Sequence, residues 1–369
     1  MNEEIDVVIV GGGPAGAAAA ITLCRHTKLK VALVERFNFD KYRAGESVSP
    51  SIFSLLTYLG LEREELEKIH LPSYSHAASW GNKSLIVRDL LFTGQGNGMH
   101  LDRQKFDSLL LETACSHGAK IYQPFSIQKI KKEENWQLTL KNDAEEILLT
   151  AKYMIDCSGK NALIVKNQKC RVHKEDSLIA LYAYYSTGDD LVLAHQTVIE
   201  TTEHGWYYMT PLPGKKLAIA FITDADILKS INLNNPNEWL KRGLSTNHIS
   251  LVLASLKEPD HFQHYAIHSR VAALPGNENW TAAGDAAASF DPISALGIGH
   301  ALSSGINSAR VAEAYFDDND KVGTEYSRHM LDHFGTYLQM RQGFYSAELR
   351  WKNSLFWKRR KKNTLIPSN

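Results

Sequence analysis

The sequence predicts a mixed α/β (α+β) architecture: a Rossmann-like βαβ domain interleaved with an antiparallel-sheet domain, with helices closing the chain. Three observations carry this reading. A strand-like run, Asp6 to Val10, opens directly into Gly11-Gly12-Gly13-Pro14-Ala15-Gly16 and an alanine-rich helical stretch. A second glycine-and-aspartate element, Gly284-Asp285-Ala286-Ala287, follows a short apolar run far downstream. Between them, from Ser177 to Ile222, lie strand-like runs rich in Tyr, Val, Ile and Ala.

A length of 369 residues allows one large domain or two, and a hydrophobic content of 44% is ample for a buried core. Basic and acidic residues balance at 41 each, so the molecule as a whole has no electrostatic reason to seek nucleic acid or an acidic membrane. The start, Asn2-Glu3-Glu4, has no basic segment leading into a cleavable apolar run. The apolar stretch from Ile5 to Leu23 is interrupted by Asp6 and by the glycines, so no transmembrane segment is expected, and residence is expected to be cytoplasmic. Cys24, Cys115, Cys157 and Cys170 have neither metal-type nor CxxC spacing; they read as core thiols, with no metal site.

The remaining elements follow in order from their patterns. Val31 to Val34 reads as the second strand, ending in Glu35. Pro50 to Leu66 places Ile52, Leu55, Leu56, Leu59 and Leu66 at helix-like spacing. Ser73 to Thr93, richer in aromatic and short apolar runs, reads as strands of a different sheet. Leu101-Asp102-Arg103 leads into a helix whose Phe106, Leu109, Leu110 and Ala114 recur every three to four residues. Ile121 to Ile130 and Trp136 to Leu140 read as a hairpin-like meander, and Tyr153 to Gly159 as a buried strand ending in a turn. Leu181 to Tyr185, Thr197 to Ile199, Trp206 to Met209 and Leu217 to Ile222 form the main part of the antiparallel sheet. Trp239 to Leu256 reads as helical, Val271 to Ala273 with Trp280 to Ala283 returns to the first domain, and the chain from Gly297 onward is mostly helical. With no repeats and no linker, the domains are expected to interleave. Residues 1–72, 98–160 and 271–320 form the nucleotide domain, 73–97 and 161–270 the substrate domain, and 321–369 C-terminal helices with a basic tail.

The first element has the parts that a bound dinucleotide requires. Gly11 permits the tight turn, Gly13 lets the backbone approach a pyrophosphate, and Gly16 allows close packing of helix on strand. The pyrophosphate would rest on the exposed N–H groups of the helix that Pro14 and Ala15 open. Glu35, about twenty residues on, can accept hydrogen bonds from ribose hydroxyls. Downstream, the Trp280 to Ala283 run puts Asp285 at a strand's carboxyl end, within reach of a ribitol or ribose hydroxyl. Gly297, Ile298 and Gly299 begin a further helix whose N-terminus can face a phosphate or an anionic ring edge.

Together with Asp102-Arg103, these elements resemble the FAD-dependent aromatic hydroxylase and halogenase superfamily, across most of the chain. The resemblance implies a p-hydroxybenzoate hydroxylase-like fold that binds FAD. Carried over by position, the contacts fall on Gly11, Gly13, Pro14, Ala15, Gly16, Glu35, Arg36, Arg43, Ser47, Arg103, Gly284, Asp285, Pro292, Gly297 and Ile298. Tyr42-Arg43-Ala44-Gly45-Glu46-Ser47 and Gly205-Trp206-Tyr207-Tyr208-Met209-Thr210-Pro211 look most like the halogenase branch, yet they depart from it. Only Trp206 matches its tryptophan pair, with Tyr208 at the second position. Ser73 to Trp80 contains no lysine, and Ala295-Leu296-Gly297 replaces a Ser-Thr-Gly halide site. Halogenation is therefore disfavoured.

Phe290-Asp291-Pro292-Ile293-Ser294-Ala295-Leu296-Gly297-Ile298 is closer to the LodB/GoxB-like flavoproteins that modify cysteine tryptophylquinone amino-acid oxidases. That resemblance implies an FAD-dependent monooxygenase acting on a tryptophan of a partner amino-acid oxidase precursor. With a single dinucleotide fingerprint, NAD(P)H would bind transiently or reduce the flavin through another protein. Glu46 and His76 are the candidate catalytic proton-transfer groups. Trp206, Tyr207 and Tyr208 are candidate substrate lining, and read equally well as sheet core. A small-molecule aromatic hydroxylase, a flavin-bound maturation chaperone without turnover, and a geranylgeranyl reductase are the alternatives. Trp351, Leu355, Phe356 and Trp357, interleaved with basic residues and followed by Lys358-Arg359-Arg360-Lys361-Lys362, read as an amphipathic helix able to dock on a partner or a membrane surface, or as a solvated terminal helix packed by its aromatics.

Overall fold

The computed structural model describes residues 2–188, 191, 193–276 and 278–361. Two seven-stranded sheets organise the chain. In the first, Asn2–Val10 runs parallel to Val31–Val34 on one side and to Glu146–Asp156 on the other. Lys120–Tyr122 adds a further parallel strand beyond Val31–Val34, and Trp280–Ala282 pairs in parallel with the end of Glu146–Asp156. Trp136–Lys141 and Ser126–Lys132 complete the sheet as an antiparallel pair. Val7, Val8 and Ile9 are all 0% exposed, so this strand is covered on both faces. Burial of both faces is why it reads as an unbroken apolar run. The Pro14–His26 helix buries every residue from Pro14 to Leu23. It crosses the Gly297–Phe316 helix in backbone contact, since a Cβ at Gly305 would lie 2.2 Å from the Ala15 carbonyl oxygen.

The second sheet runs in the order His261–Ala266, Leu178–Ser186, Lys216–Asp224, Gly205–Leu212, Gln196–Thr202, Ser75–Ser79, Ile86–Asp89. One face is covered by short helices that contribute Trp239, Ile249 and Leu253. The other carries Tyr182, Tyr184 and Trp206, which pack against Tyr345, Phe356 and Trp357 from the C-terminal helices.

Several sequence expectations need correction. Pro50 to Leu66 is not one helix but a 3-10 turn, Pro50–Ile52, and two helices, Phe53–Tyr58 and Arg63–Glu67. The chain turns at Gly60, whose φ of +85° belongs to the left-handed region. Ile121 does not open a hairpin arm; it belongs to the parallel strand Lys120–Tyr122, and the hairpin begins at Ser126. Trp239 to Leu256 divides into Pro236–Gly243 and Ile249–Leu253. Buried Glu200, on the second sheet, receives the N–H groups of Asn247, His248 and Ile249 at 2.7, 2.9 and 3.0 Å, which starts the second helix afresh.

Of the two forms expected for the tail, the structure has the helix packed by its aromatics. Leu355–Arg360 folds back on the chain's own second sheet, with Phe356 and Trp357 at 0% exposure. Trp357 Nε1 donates to the Thr202 carbonyl at 2.9 Å. Arg360 pairs with Asp224 at 2.6 Å, and Arg359 with Asp224 and Asp226 at 2.9 and 2.6 Å. Lys361 Nζ donates to the Glu348 carbonyl at 2.6 Å, so the aromatics and three of the basic groups expected to meet a partner are committed internally. Lys362 lies outside the described residues. Among the described residues the four cysteines are free thiols, no cluster could hold a metal, and no helix is long and apolar enough to cross a membrane.

Candidate active site

Val10, Val34, Asp156 and Ala282 end four parallel strands at one edge of the first sheet. The crevice outside such carboxyl ends is where open α/β sheets hold ligands. Gly11 turns the chain there with φ +109°, and a Cβ would lie 2.2 Å from the Cys157 carbonyl oxygen. Gly16 is equally confined, 1.8 Å from the Gly11 carbonyl oxygen. At Gly13, by contrast, a Cβ would meet nothing within 4 Å, so the space over the helix N-terminus that Pro14 and Ala15 open is clear. A cavity of about 350 Å³ opens here, lined by Gly11, Gly13, Glu35, Arg36, Arg43 and Ser158 among others. Glu35 is buried, its Oε2 accepting Gly12 N–H and its Oε1 accepting Phe37 N–H, both at 2.8 Å. Each oxygen keeps a lone pair for a ligand hydroxyl. Arg36 is exposed at the mouth, its guanidinium 4.4 Å from the Phe37 ring centre.

The second glycine element meets the first. A Cβ at Gly284 would sit 2.9 Å from Ala15 Cβ, and Gly284 N–H donates to Ser304 Oγ at 2.8 Å. Asp285, half-buried, has no hydrogen-bonded partner for its carboxylate among the described residues. Its charge favours the protonated forms of Lys160 and Arg270, both of whose pKa values burial pushes down. Lys160 itself is tied to the His268 carbonyl and Ser289 Oγ, both at 2.6 Å. Open space over Gly13, spare acceptor capacity on Glu35 and an unbonded carboxylate at Asp285 fit an FAD diphosphate with a sugar or sugar-alcohol hydroxyl at either end.

At the other end of the site three segments converge. A Cβ at Gly45 would lie 2.8 Å from Arg103 Nη1 and 3.7 Å from Ile298 Cδ1, which places the turn before Glu46 against the start of the Gly297 helix. Asp102 caps the Arg103–Ser116 helix, accepting Lys105 N–H at 3.2 Å. Arg103 donates to the Ala44 carbonyl and, through Nη2, to Asp107 at 3.0 Å, while Arg43 donates to the same Asp107 at 2.7 Å. Asp107, fully buried, anchors both arginines and was not anticipated; the signal was an acid four residues after Arg103 on one helix face. Pro292 opens a short turn that ends at Ala295, with φ +52°, just before Gly297. Ser47 is turned toward the second sheet, where its Oγ lies 3.0 Å from Thr197 Oγ1.

Glu46 is 2% exposed, with Oε1 accepting the Tyr184 hydroxyl at 2.9 Å and Oε2 accepting Gly45 N–H at 3.0 Å. Burial pushes its carboxyl above the usual carboxylate range, against the pull of Tyr184 and Arg103. Tyr42 stacks on Tyr184 with ring centres 4.2 Å apart, and Tyr208 and Tyr265 stand edge-on to Tyr182 at 6.5 and 5.3 Å. Burial raises the Tyr182, Tyr184 and Tyr208 phenols, so all three are neutral donors at physiological pH.

Among the described residues no hydrogen bond joins His76 to the Glu46 carboxylate. His76, on Ser75–Ser79, stands opposite Thr197, whose Oγ1 lies 3.0 Å from the Oγ of Ser47, the residue after Glu46. Burial also lowers the His76 pKa, leaving it neutral at pH 7 and facing Thr197 across the sheet. Tyr208 keeps partial exposure beside Tyr182. Trp206 is 0% exposed and donates its indole N–H to Tyr345 Oη at 3.1 Å, so it is wall rather than surface. Tyr207 projects to the opposite face and packs on Trp239, as strand alternation requires.

The FAD binding domain family matches residues 4–315. The chain is 32% identical over 363 residues to the "Putative FAD-dependent oxidoreductase LodB" of Marinomonas mediterranea, covering 97% of each. It is 24% identical over 371 residues to a 1H-pyrrole-2-carbonyl-(peptidyl-carrier protein) chlorinase of Pseudomonas fluorescens, covering 90% of this chain and 80% of that one. Among solved structures, the flavin-dependent halogenase CmlS superposes with a TM-score of 0.85 at 23% identity over 98% of this chain and 68% of its own. QhpG, a peptidyl tryptophan dihydroxylase essential for tryptophylquinone cofactor biogenesis, superposes with a TM-score of 0.78 at 20% identity, over 97% and 79%. At these identities the structural likenesses establish the fold.

Proposed function

We propose, for a chain that belongs to the FAD binding domain family of flavoproteins and works as an FAD-dependent oxidoreductase, that it is a monooxygenase acting on a tryptophan side chain of a partner amino-acid oxidase, while the partner's cysteine tryptophylquinone cofactor is being made. One observation carries this reading: Glu46 is sequestered among tyrosines at a turn that touches both Arg103 and Ile298. The LodB-type relative and the fold held in common with QhpG support it.

FAD supplies the two-electron chemistry that activates oxygen. One atom of O₂ enters a new C–O bond on the indole ring and the other leaves as water, with two electrons from NAD(P)H or a reductase. Tyr182, Tyr208 and Tyr265 offer an apolar, aromatic wall for the ring. Glu46 has a lone pair left on each oxygen, enough to accept the indole N–H and to take the proton released when the ring C–H bond breaks. Tyr184 fixes the carboxylate's orientation. Arg103, clamped by Asp107, holds the Ala44–Gly45 turn from which Glu46 projects. Halogenases stand among the relatives, but Ala295 and Leu296 offer no side-chain hydroxyl to a halide, and Ser75–Ser79 has no lysine.

With NAD(P)H as reductant, a tryptophan-bearing polypeptide from an oxidase precursor should drive consumption roughly tenfold or more above free indole or phenols, because remote contacts supply binding energy that a free ring lacks. Equal or faster consumption with free phenols would make the protein a small-molecule hydroxylase. Partner maturation by a chain whose flavin is not reduced would make it a chaperone.

A further inference from the structure

The segment that leads into the Gly297 helix is held from behind by one stripe of a helix that neither glycine element includes. Asp320–Ser346 presents Tyr337, Arg341 and Tyr345 at four-residue spacing, so all three lie along one face. They are 1%, 6% and 0% exposed, and all three close on a single residue, Asp291. Asp291 N–H donates to Tyr337 Oη at 2.9 Å; Arg341 Nε and Tyr345 Oη donate to Asp291 Oδ2 at 3.3 and 2.7 Å. Asp291 Oδ1 in turn accepts Ile293 N–H at 3.1 Å, which shapes the turn that Pro292 opens.

The Tyr345 hydroxyl takes part in one further hydrogen bond among the described residues, and it reaches the other sheet: it receives the Trp206 indole N–H at 3.1 Å. Trp206 lies on the Tyr208 side of Gly205–Leu212, the side that faces the tyrosine wall. Trp206 Nε1, Tyr345 Oη and Asp291 Oδ2 thus form a continuous hydrogen-bonded path from that wall to the residue before Pro292. The path is fully buried, each donor has a single acceptor in reach, and packed interiors shift as units rather than absorbing strain locally.

We propose that Tyr345 is a positioning residue: through Asp291 it sets the Pro292–Ile298 segment against the flavin ring, and through Trp206 it ties that setting to the substrate-facing sheet. The proposal rests on FAD binding, which the family establishes, and not on the identity of the substrate. Its test is therefore independent of tryptophan oxygenation.

The probe is FAD itself, titrated into apo-protein and followed by the visible bands and the fluorescence of the bound flavin. Tyr345→Phe removes one hydroxyl and keeps the ring. It should weaken FAD about five- to tenfold, in the range of one ordinary hydrogen bond lost, and shift the bound flavin's visible bands. Trp206→Phe should shift the bands in the same direction, and the double variant should shift them no further than Tyr345→Phe alone, because both act through one path. Met340→Ala, on the exposed side of the same helix, should leave bands and affinity at the parent values. Should Tyr345→Phe fail to fold, Tyr337→Phe, which removes the partner of Asp291 N–H, is read in the same way. FAD affinity and bands equal to the parent's in these variants, whatever the change in melting temperature, would reduce the stripe to a packing role and overturn the proposal.

Discussion

A Gly13→Glu chain is expected to fold as the parent does and to purify without colour. Gly13 has φ −71° and ψ −176°, extended backbone that any residue adopts, and a Cβ there meets no protein atom within 4 Å. A side chain at this position therefore costs the fold little, a few tenths of a kcal/mol for changing a helix cap. It enters the space over the helix N-terminus and places a negative charge where the diphosphate of FAD would take the N–H groups. FAD affinity should fall at least a hundredfold, on the order of 3 kcal/mol, while the melting temperature of the apo-protein stays within a few degrees of the parent's. Gly16→Val is the contrasting case. Its Cβ would lie 1.8 Å from the Gly11 carbonyl oxygen, so it should lose the fold together with the flavin. A Gly13→Glu protein that retains FAD in equal proportion to chain would place the diphosphate elsewhere.

Glu46→Gln should keep its flavin and lose turnover by two to four orders of magnitude, the usual share of a general acid–base group. Glutamine preserves the shape and can still accept the Tyr184 hydroxyl, but it cannot take a proton. The stability effect has the opposite sign. Burial raises the folded-state pKa of Glu46, so the protonated form is the one folding favours. That contribution is fully present below the unfolded carboxylate value and fades as pH rises through the raised one. At neutral pH the neutral glutamine should therefore be as stable as the parent or more so. Activity in the parent should rise with pH through the same raised pKa, as the carboxylate forms. Thermal denaturation alongside a pH–rate profile checks both signs; a Glu46→Gln enzyme with parental turnover would remove Glu46 from the chemistry.

The nucleotide half of the fold was legible because its chemistry is local. Strand, glycines, helix and Glu35 follow one another within thirty-five residues, and each glycine's duty is a steric one that sequence states directly. Asp285 was legible for a similar reason, as a strand's last apolar residues set its place at the crevice. What escaped was long-range. Nothing local says that Glu200 would start a helix almost fifty residues on, or that a basic aromatic tail would find Asp224 and the Trp206 face of its own sheet. Glu46 and His76 were chosen on residue type alone, and the meeting of Ser47, Thr197 and His76 depends on strand order, which short strands encode weakly. Asp107 and Asp291 organise the arginines and the Pro292 turn from full burial, yet each looks in sequence like an ordinary surface acid. Buried carboxylates of this kind are betrayed only by the partners that compensate them.

The most direct measurement of the central claim is mass spectrometry of an amino-acid oxidase precursor produced together with this chain under ¹⁸O-labelled oxygen gas. The account predicts a gain of one or two labelled oxygen atoms on a single tryptophan, absent when the Gly13→Glu chain is supplied instead. An unmodified tryptophan beside a flavin-loaded, reducible enzyme, or oxygen that carries no label from the gas, would contradict it.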